Sequence, residues 1–190
     1  MFRSLCAILF ISISPSAMAA PAVATVEAGK PGPEIPKSFM GLSREWRVFV
    51  APDEGPPSAV HPTYLQLLKN LCAFNDAPLC IRVGGNSADG IKESPSPDRW
   101  KQMGEVFKAT RTPLIININL AREDVELDKA MINDAHKYVP KEAIATFELG
   151  NEPDGWANRY RPADYTFEQY LPVFNRIAKE LVHVTIGPLV

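Results

Sequence analysis

The chain has 190 residues, 46% of them hydrophobic and 22% charged, with a formal net charge of -2, a balance that excludes disordered and collagen-like chains. Its 20 Lys and Arg are matched by 22 Asp and Glu, so the basic surplus that binds a phosphate backbone is missing and nucleic acid is not expected as a partner.

In chain order, residues 1–20 come first. Arg3 is their only charge, Leu5 to Ile13 is an apolar run, and Ala17-Met18-Ala19 has the small-x-small form of a cleavage site. That is the pattern of a secretory signal; a buried N-terminal helix is the alternative. The run is short for a bilayer span, and no later stretch approaches the ~20 apolar residues a spanning helix needs. The mature chain is therefore expected to be soluble and exported, periplasmic or extracellular, with no membrane partner after cleavage. Cleavage also removes Cys6 and leaves Cys72 and Cys80, either bridged in an oxidising compartment or present as two separate thiols. His61, His136 and His183 are far apart and no Cys/His spacing suggests a ligand set, so neither a metal nor a cofactor is expected.

Residues 21–36 read as a leading strand at Val23 to Val26 and a linker, with Pro31, Pro33 and Pro36 keeping the segment extended rather than helical. From Lys37 a cycle begins. Phe39 to Ser43 is strand-like, and Pro62 to Phe74 carries Leu65, Leu68, Leu71 and Cys72 at helical spacing. Leu79 to Val83 predicts a second strand, and Asp98 to Ala109 a helix with Asp98 as its cap. Pro113 to Leu120 predicts a third strand, followed by a helix over about 124–138, a fourth strand at Ile144 to Leu149 and a helix at Thr166 to Val182. A fifth strand begins at Val184-Thr185-Ile186.

Strands and helices in strict alternation imply a parallel sheet of the α/β class. A doubly wound sheet would carry a Gly-rich phosphate loop after its first strand, and Leu42-Ser43-Arg44-Glu45-Trp46 has none. The expected architecture is therefore a (β/α)8 barrel of TIM type, of which residues 37–190 supply the first four to five units. Truncation explains the shortage better than closure by association; a half barrel would leave open sheet edges and an uncovered hydrophobic interior.

The functional face of such a barrel lies at the carboxyl ends of its strands. There the chain is polar: Arg44-Glu45-Trp46, Gly84 to Asp89, Asn117, Asn119 and Arg122, and Gly150-Asn151-Glu152-Pro153-Asp154. An Asn-Glu pair at a strand end sets an amide beside a carboxyl, although Gly-Asn-Glu-Pro alone is also what turns are made of. By the two-residue period of a strand, Arg82 shares a face with Gly84 and Asn86, and Glu148 with Gly150 and Glu152. Arg82 and Glu148 are thus expected to meet as an interior ion pair, since either charge buried alone costs several kcal/mol.

Phe147-Glu148-Leu149-Gly150-Asn151-Glu152-Pro153-Asp154 resembles the acid/base strand of the clan A barrel glycoside hydrolases. Ile35 to Glu45 and Ile81-Arg82-Val83-Gly84-Gly85-Asn86-Ser87-Ala88-Asp89 resemble the first two strands of glycoside hydrolase family 79, the β-glucuronidase and heparanase group. Asn-Glu is shared with arabinofuranosidases and cellulases of the clan; the first two motifs favour family 79. The resemblance implies a carbohydrate substrate, Glu152 as general acid/base, Asn151 on the sugar 2-hydroxyl, and substrate contacts at Glu45 and Asn86, with Asp89 shaping its loop. It also implies a retaining mechanism, whose second carboxylate lies about 5 Å from the first and comes in the family from a later strand. Glu45 and Glu148 are the nearest candidates by position, and both fit other roles better. The C-terminal half of the barrel and the family's β-sandwich domain are likewise missing partners, so no hydrolysis is expected from this polypeptide alone. The alternative is a carbohydrate-binding or interaction protein of the same fold that has lost catalysis.

Overall fold

The computed structural model describes residues 24–25, 29–35, 39–48, 60–73 and 77–184. The chain divides into two units, Met1–Glu34 and Ile35–Val190. The described residues of the first are irregular and exposed, including Ala24 and Thr25 of the expected leading strand. The rest of that strand and the 1–20 leader lie outside the described residues, as do Thr185 and Ile186 of the expected fifth strand; Val184 is in a turn.

The second unit carries β1 (Gly41–Glu45), α1 (Pro62–Ala73), β2 (Cys80–Gly84), a single turn α2 (Asn86–Asp89), α3 (Pro97–Thr110), β3 (Leu114–Ile118), α4 (Val125–Tyr138), β4 (Ile144–Leu149) and α5 (Phe167–Leu181). Each predicted strand from the first to the fourth and each predicted helix is present, with no end moved by more than two residues. One cap differs. α3 opens at Ser96 with Pro97 in its first turn, because proline lacks the N–H that a first-turn position leaves unpaired anyway. Asp98 sits inside that turn and pairs with Lys101. In α4 the side chain of Asp124 does cap, accepting from the Leu127 N–H at 3.0 Å.

All four strands are parallel and lie in the order β1-β2-β3-β4. α1 packs on α3, α3 on α4, and α4 on α5, so the helices follow one another as the strands do. A doubly wound sheet reverses its order at a switch point; here there is no reversal, as in successive units of a β/α cylinder.

Alternation along the strands divides the sheet into two faces. Ile81, Val83, Leu114, Ile116, Phe147 and Leu149 join Leu68, Met103, Val106, Met131 and Ile132 of the helices in one buried core. The opposite face is layered by the register. Ser43, Arg82, Ile115 and Thr146 stand at one level, and Glu45, Gly84, Asn117 and Glu148 at the next. The uncovered hydrophobic interior expected of a partial barrel is therefore not found at these levels. Ile115 is their one large aliphatic side chain; Ser43, Arg82, Asn117 and Glu148 take part in hydrogen bonds across the strands, and Glu45 bonds the turn after β2. Cys72 and Cys80 are both free thiols.

Candidate active site

Two glycines shape the carboxyl ends of the strands. Gly85, after β2, has φ 77° and Gly150, after β4, has φ 85°, a region open to glycine at little cost. Gly150 first extends the ladder, donating to Ile118 O at 3.0 Å, and then turns the chain. Asn151 follows, nearly buried at 4% exposure, and Glu152 comes next with φ 39°. A left-handed conformation at a non-glycine residue costs of order 1 kcal/mol and persists only where its surroundings hold it. Here Glu152 O accepts from Gly155 N at 2.9 Å, closing the short turn Pro153–Gly155. The Glu152 side chain is exposed.

The neighbouring amide is held from below. Arg82 donates through Nε to Glu148 Oε2 at 2.5 Å and through Nη2 to Glu148 Oε1 at 2.9 Å. The expected pair is thus present, as a two-pronged contact between half-buried side chains. Arg82 Nη2 also donates to Asn151 Oδ1 at 2.9 Å, and Asn151 Nδ2 then donates to Asn86 Oδ1 at 3.3 Å. Gly84 makes this possible. A Cβ there would stand 2.6 Å from Asn117 Cβ and 3.3 Å from the Arg82 guanidinium carbon. Asn117 in turn donates to the carbonyls of Glu148 and Gly150, pinning the exit of β4.

Glu45 lies at the same end but faces the turn after β2. Its carboxylate accepts from Asn86 N at 3.2 Å, Ser87 N at 2.8 Å and Ser87 Oγ at 2.5 Å. Burial alone would raise its pKa; the bonds from Ser87 and Asn86, with Arg47 nearby, bring it below the ordinary value. Asp89 is buried against Trp156, whose Nε1 donates to Asp89 Oδ2 at 3.1 Å. Desolvation pushes the Asp89 carboxyl up to about 6 against the lowering effect of Trp156 and Arg159. Asn119 Nδ2 holds the same loop through Asp89 O and Ile91 O.

Asn86, Asn151 and Arg82 are therefore joined in one network at the carboxyl edge, with Glu152 next in sequence and Glu45 bracing the Asn86 turn. Sequence patterns did not point to Trp156 as the partner of Asp89, four residues beyond Glu152, or to the bond from Arg82 to Asn151. A lone tryptophan after a Pro-Asp-Gly turn carries no periodic signal. Past that turn, Tyr165, Phe167 and Tyr170 line a hollow of about 340 Å³ with Pro153 and Asp154. Among the described residues, no group of three or more His, Cys, Asp or Glu side chains could hold a metal ion, and no helix is long and apolar enough to cross a membrane.

No family model matches the chain, and no curated protein matches it. Among solved structures it is similar to a 4-O-α-L-rhamnosyl-β-D-glucuronidase from Fusarium oxysporum 12S in complex with Rha-GlcA, at 19% identity and a TM-score of 0.42. The match covers 66% of this chain and 30% of that one, so the chain spans less than a third of that enzyme's length.

Proposed function

We propose that this chain is the amino-terminal part of an exported glycoside hydrolase barrel of the family 79 type, acting on β-glucuronides or related glycans, with Glu152 as its general acid/base. The observation that carries the proposal is the Arg82–Asn151–Asn86 chain of hydrogen bonds, which fixes an amide beside an exposed carboxyl at the carboxyl edge of a parallel sheet. A glycosidic oxygen leaves readily only when protonated, so a carboxylic acid must deliver a proton as the C–O bond breaks and later take one from the attacking water. Glu152 has the required access to solvent, and in this reading Asn151 meets the sugar hydroxyl through the amide hydrogen that it does not give to Asn86. The aromatic hollow after Pro153 suits the apolar face of a pyranose ring.

The covalent glycosyl intermediate of a retaining enzyme requires a second carboxylate. Glu45 gives its oxygens to the Asn86 turn and Glu148 gives both of its own to Arg82. The proposal therefore takes the nucleophile from further barrel units. The helix row fits such units on both flanks: α1 exposes Leu67 and Leu71, and α5 exposes Phe167 and Leu171, whereas α3 and α4 between them expose no large apolar side chain.

Saturation-transfer NMR of the 190-residue chain with p-nitrophenyl β-D-glucuronide tests this. The expected result is transfer to the sugar protons, weakened at least about tenfold in Asn151→Ala, where a hydrogen bond in a charged network is lost, and no release of p-nitrophenol. Equal transfer in wild type and Asn151→Ala, or transfer to none of a panel of glycosides, would overturn the proposal.

A further inference from the structure

The hollow past Glu152 is built from the first turn of α5 and the loop before it. Pro153, Asp154, Tyr165, Thr166, Phe167 and Tyr170 surround about 340 Å³. Its frame is fixed by backbone bonds and by ring packing. Tyr165 N donates to Pro162 O at 3.2 Å, and Thr166 N donates to Gln169 Oε1 at 2.9 Å. The Tyr170 ring meets the buried Trp156 edge-on at 6.3 Å and stands 6.0 Å from Phe167 and 5.8 Å from Phe174. Asp154 is the one charged residue in the described lining, and it is exposed to solvent. Arg161 lies 5.5 Å from the Tyr165 ring centre, but its guanidinium is paired with Glu123 at 2.8 Å.

The face of an aromatic ring is electron-rich, so it attracts C–H edges and cations and repels anions. A carboxylate in the same lining acts in the same sense. The hollow therefore matches a ring with an apolar face and no acidic group, and it is mismatched to a uronate. Its place in the chain says which part of a substrate it meets. In glycoside hydrolysis the acid protonates the oxygen that departs with the leaving group, and the hollow begins at Pro153, the residue after Glu152. We propose that this hollow is the leaving-group subsite and takes a pyranose ring without an acidic group, stacked on Phe167 and Tyr170 and met by the Asp154 carboxylate at a hydroxyl or ammonium group. The assignment rests on the role given to Glu152. Its consequence is that the glucuronyl unit lies on the other side of Glu152, toward the Asn151 amide, and that the bond cleaved joins a glucuronate to a neutral or amino-bearing sugar.

The test has two arms, both on the full chain. In the first, a sample with ¹³C-labelled aromatic rings is titrated with methyl β-D-glucopyranoside, glucosamine and sodium glucuronate, reading the ring signals of Tyr165 and Tyr170. The glucoside and glucosamine are expected to shift both, and glucuronate to bind about threefold more weakly or worse, the scale of one exposed like-charge contact. Tighter binding of glucosamine than of the glucoside identifies an amino-bearing leaving group, and the reverse an uncharged one. Asp154→Asn should narrow the gap to glucuronate. In the second arm, saturation transfer to p-nitrophenyl β-D-glucuronide is read separately for its two halves, the nitrophenyl ring standing in for the leaving sugar. Phe167→Ala, at a position 64% exposed that leaves the core untouched, should cut transfer to the nitrophenyl protons by about threefold or more and spare the glucuronyl protons. Asn151→Ala should do the opposite. No shift with either uncharged or amino sugar, glucuronate binding as tightly as the glucoside, or nitrophenyl transfer unchanged in Phe167→Ala would overturn the subsite. Glucuronyl transfer unchanged in Asn151→Ala would instead overturn the reading of Glu152 on which the leaving-group assignment rests.

Discussion

A methyl group added at Gly85 would fall within 2.5 Å of the Glu45 carboxyl carbon, at a φ that side chains rarely adopt. One hydrogen atom in place of a side chain is thus what lets β1 brace the turn that carries Asn86. A different residue-scale tension sits in α4. Asp128 is fully buried, and desolvation above all, with repulsion from Asp124 one turn away, pushes its carboxyl from 3.8 up to about 8. The folded chain keeps a proton that the unfolded chain releases near pH 4. The stability tied to this group is therefore complete below about pH 4 and is lost as pH rises toward 8. Asp128→Asn should melt above wild type at pH 8, with the gap closing as pH falls to 4. Thermal melts followed by circular dichroism across that range check it, and a gap independent of pH would refute the assignment.

Between elements, the decisive contact is the one from β2 to β4. Arg82→Met strands the Glu148 carboxylate and releases the Asn151 amide. It should cost about 1–3 kcal/mol, toward the lower end because both side chains keep partial contact with water. Arg82→Met with Glu148→Leu should recover much of that loss, since an apolar pair replaces an ionic one with little penalty. Urea unfolding of the two single variants and the double gives the coupling, and strictly additive effects would mean the pair is not coupled. At this scale much was legible in advance. Helical spacing located α1, α3, α4 and α5, and two-residue alternation put Arg82 and Glu148 on one face. The α3 cap was not legible, because Ser96, Pro97 and Asp98 are all acceptable starts and only the backbone path chooses among them. Nor was the seat of Glu45: the motif places it at a strand end without saying whether it faces a ligand or, as here, the neighbouring turn. The partnership of Asp89 with Trp156 joins residues 67 apart, a separation that no local pattern spans.

At the level of the whole molecule, the row of helices is apolar at its two ends and polar in its middle, and among the described residues neither β1 nor β4 pairs on its outer side. Unpaired strand edges beside apolar helix flanks are templates for association. The chain is expected to show a mass above that of a monomer in light scattering at raised concentration, and Leu67→Lys with Leu71→Lys to bring it back down. Monodisperse monomer at every concentration would contradict this.

The consecutive strand order also bears on how the fold is reached. Each strand pairs with the one before it, so every ladder joins segments only about 30 to 40 residues apart. Loop-closure entropy rises slowly with length but must be met before a contact forms, and short separations keep that early cost low. Such a sheet can grow progressively as the nascent polypeptide emerges, each strand docking on a surface already laid down, with no need to wait for a distant partner.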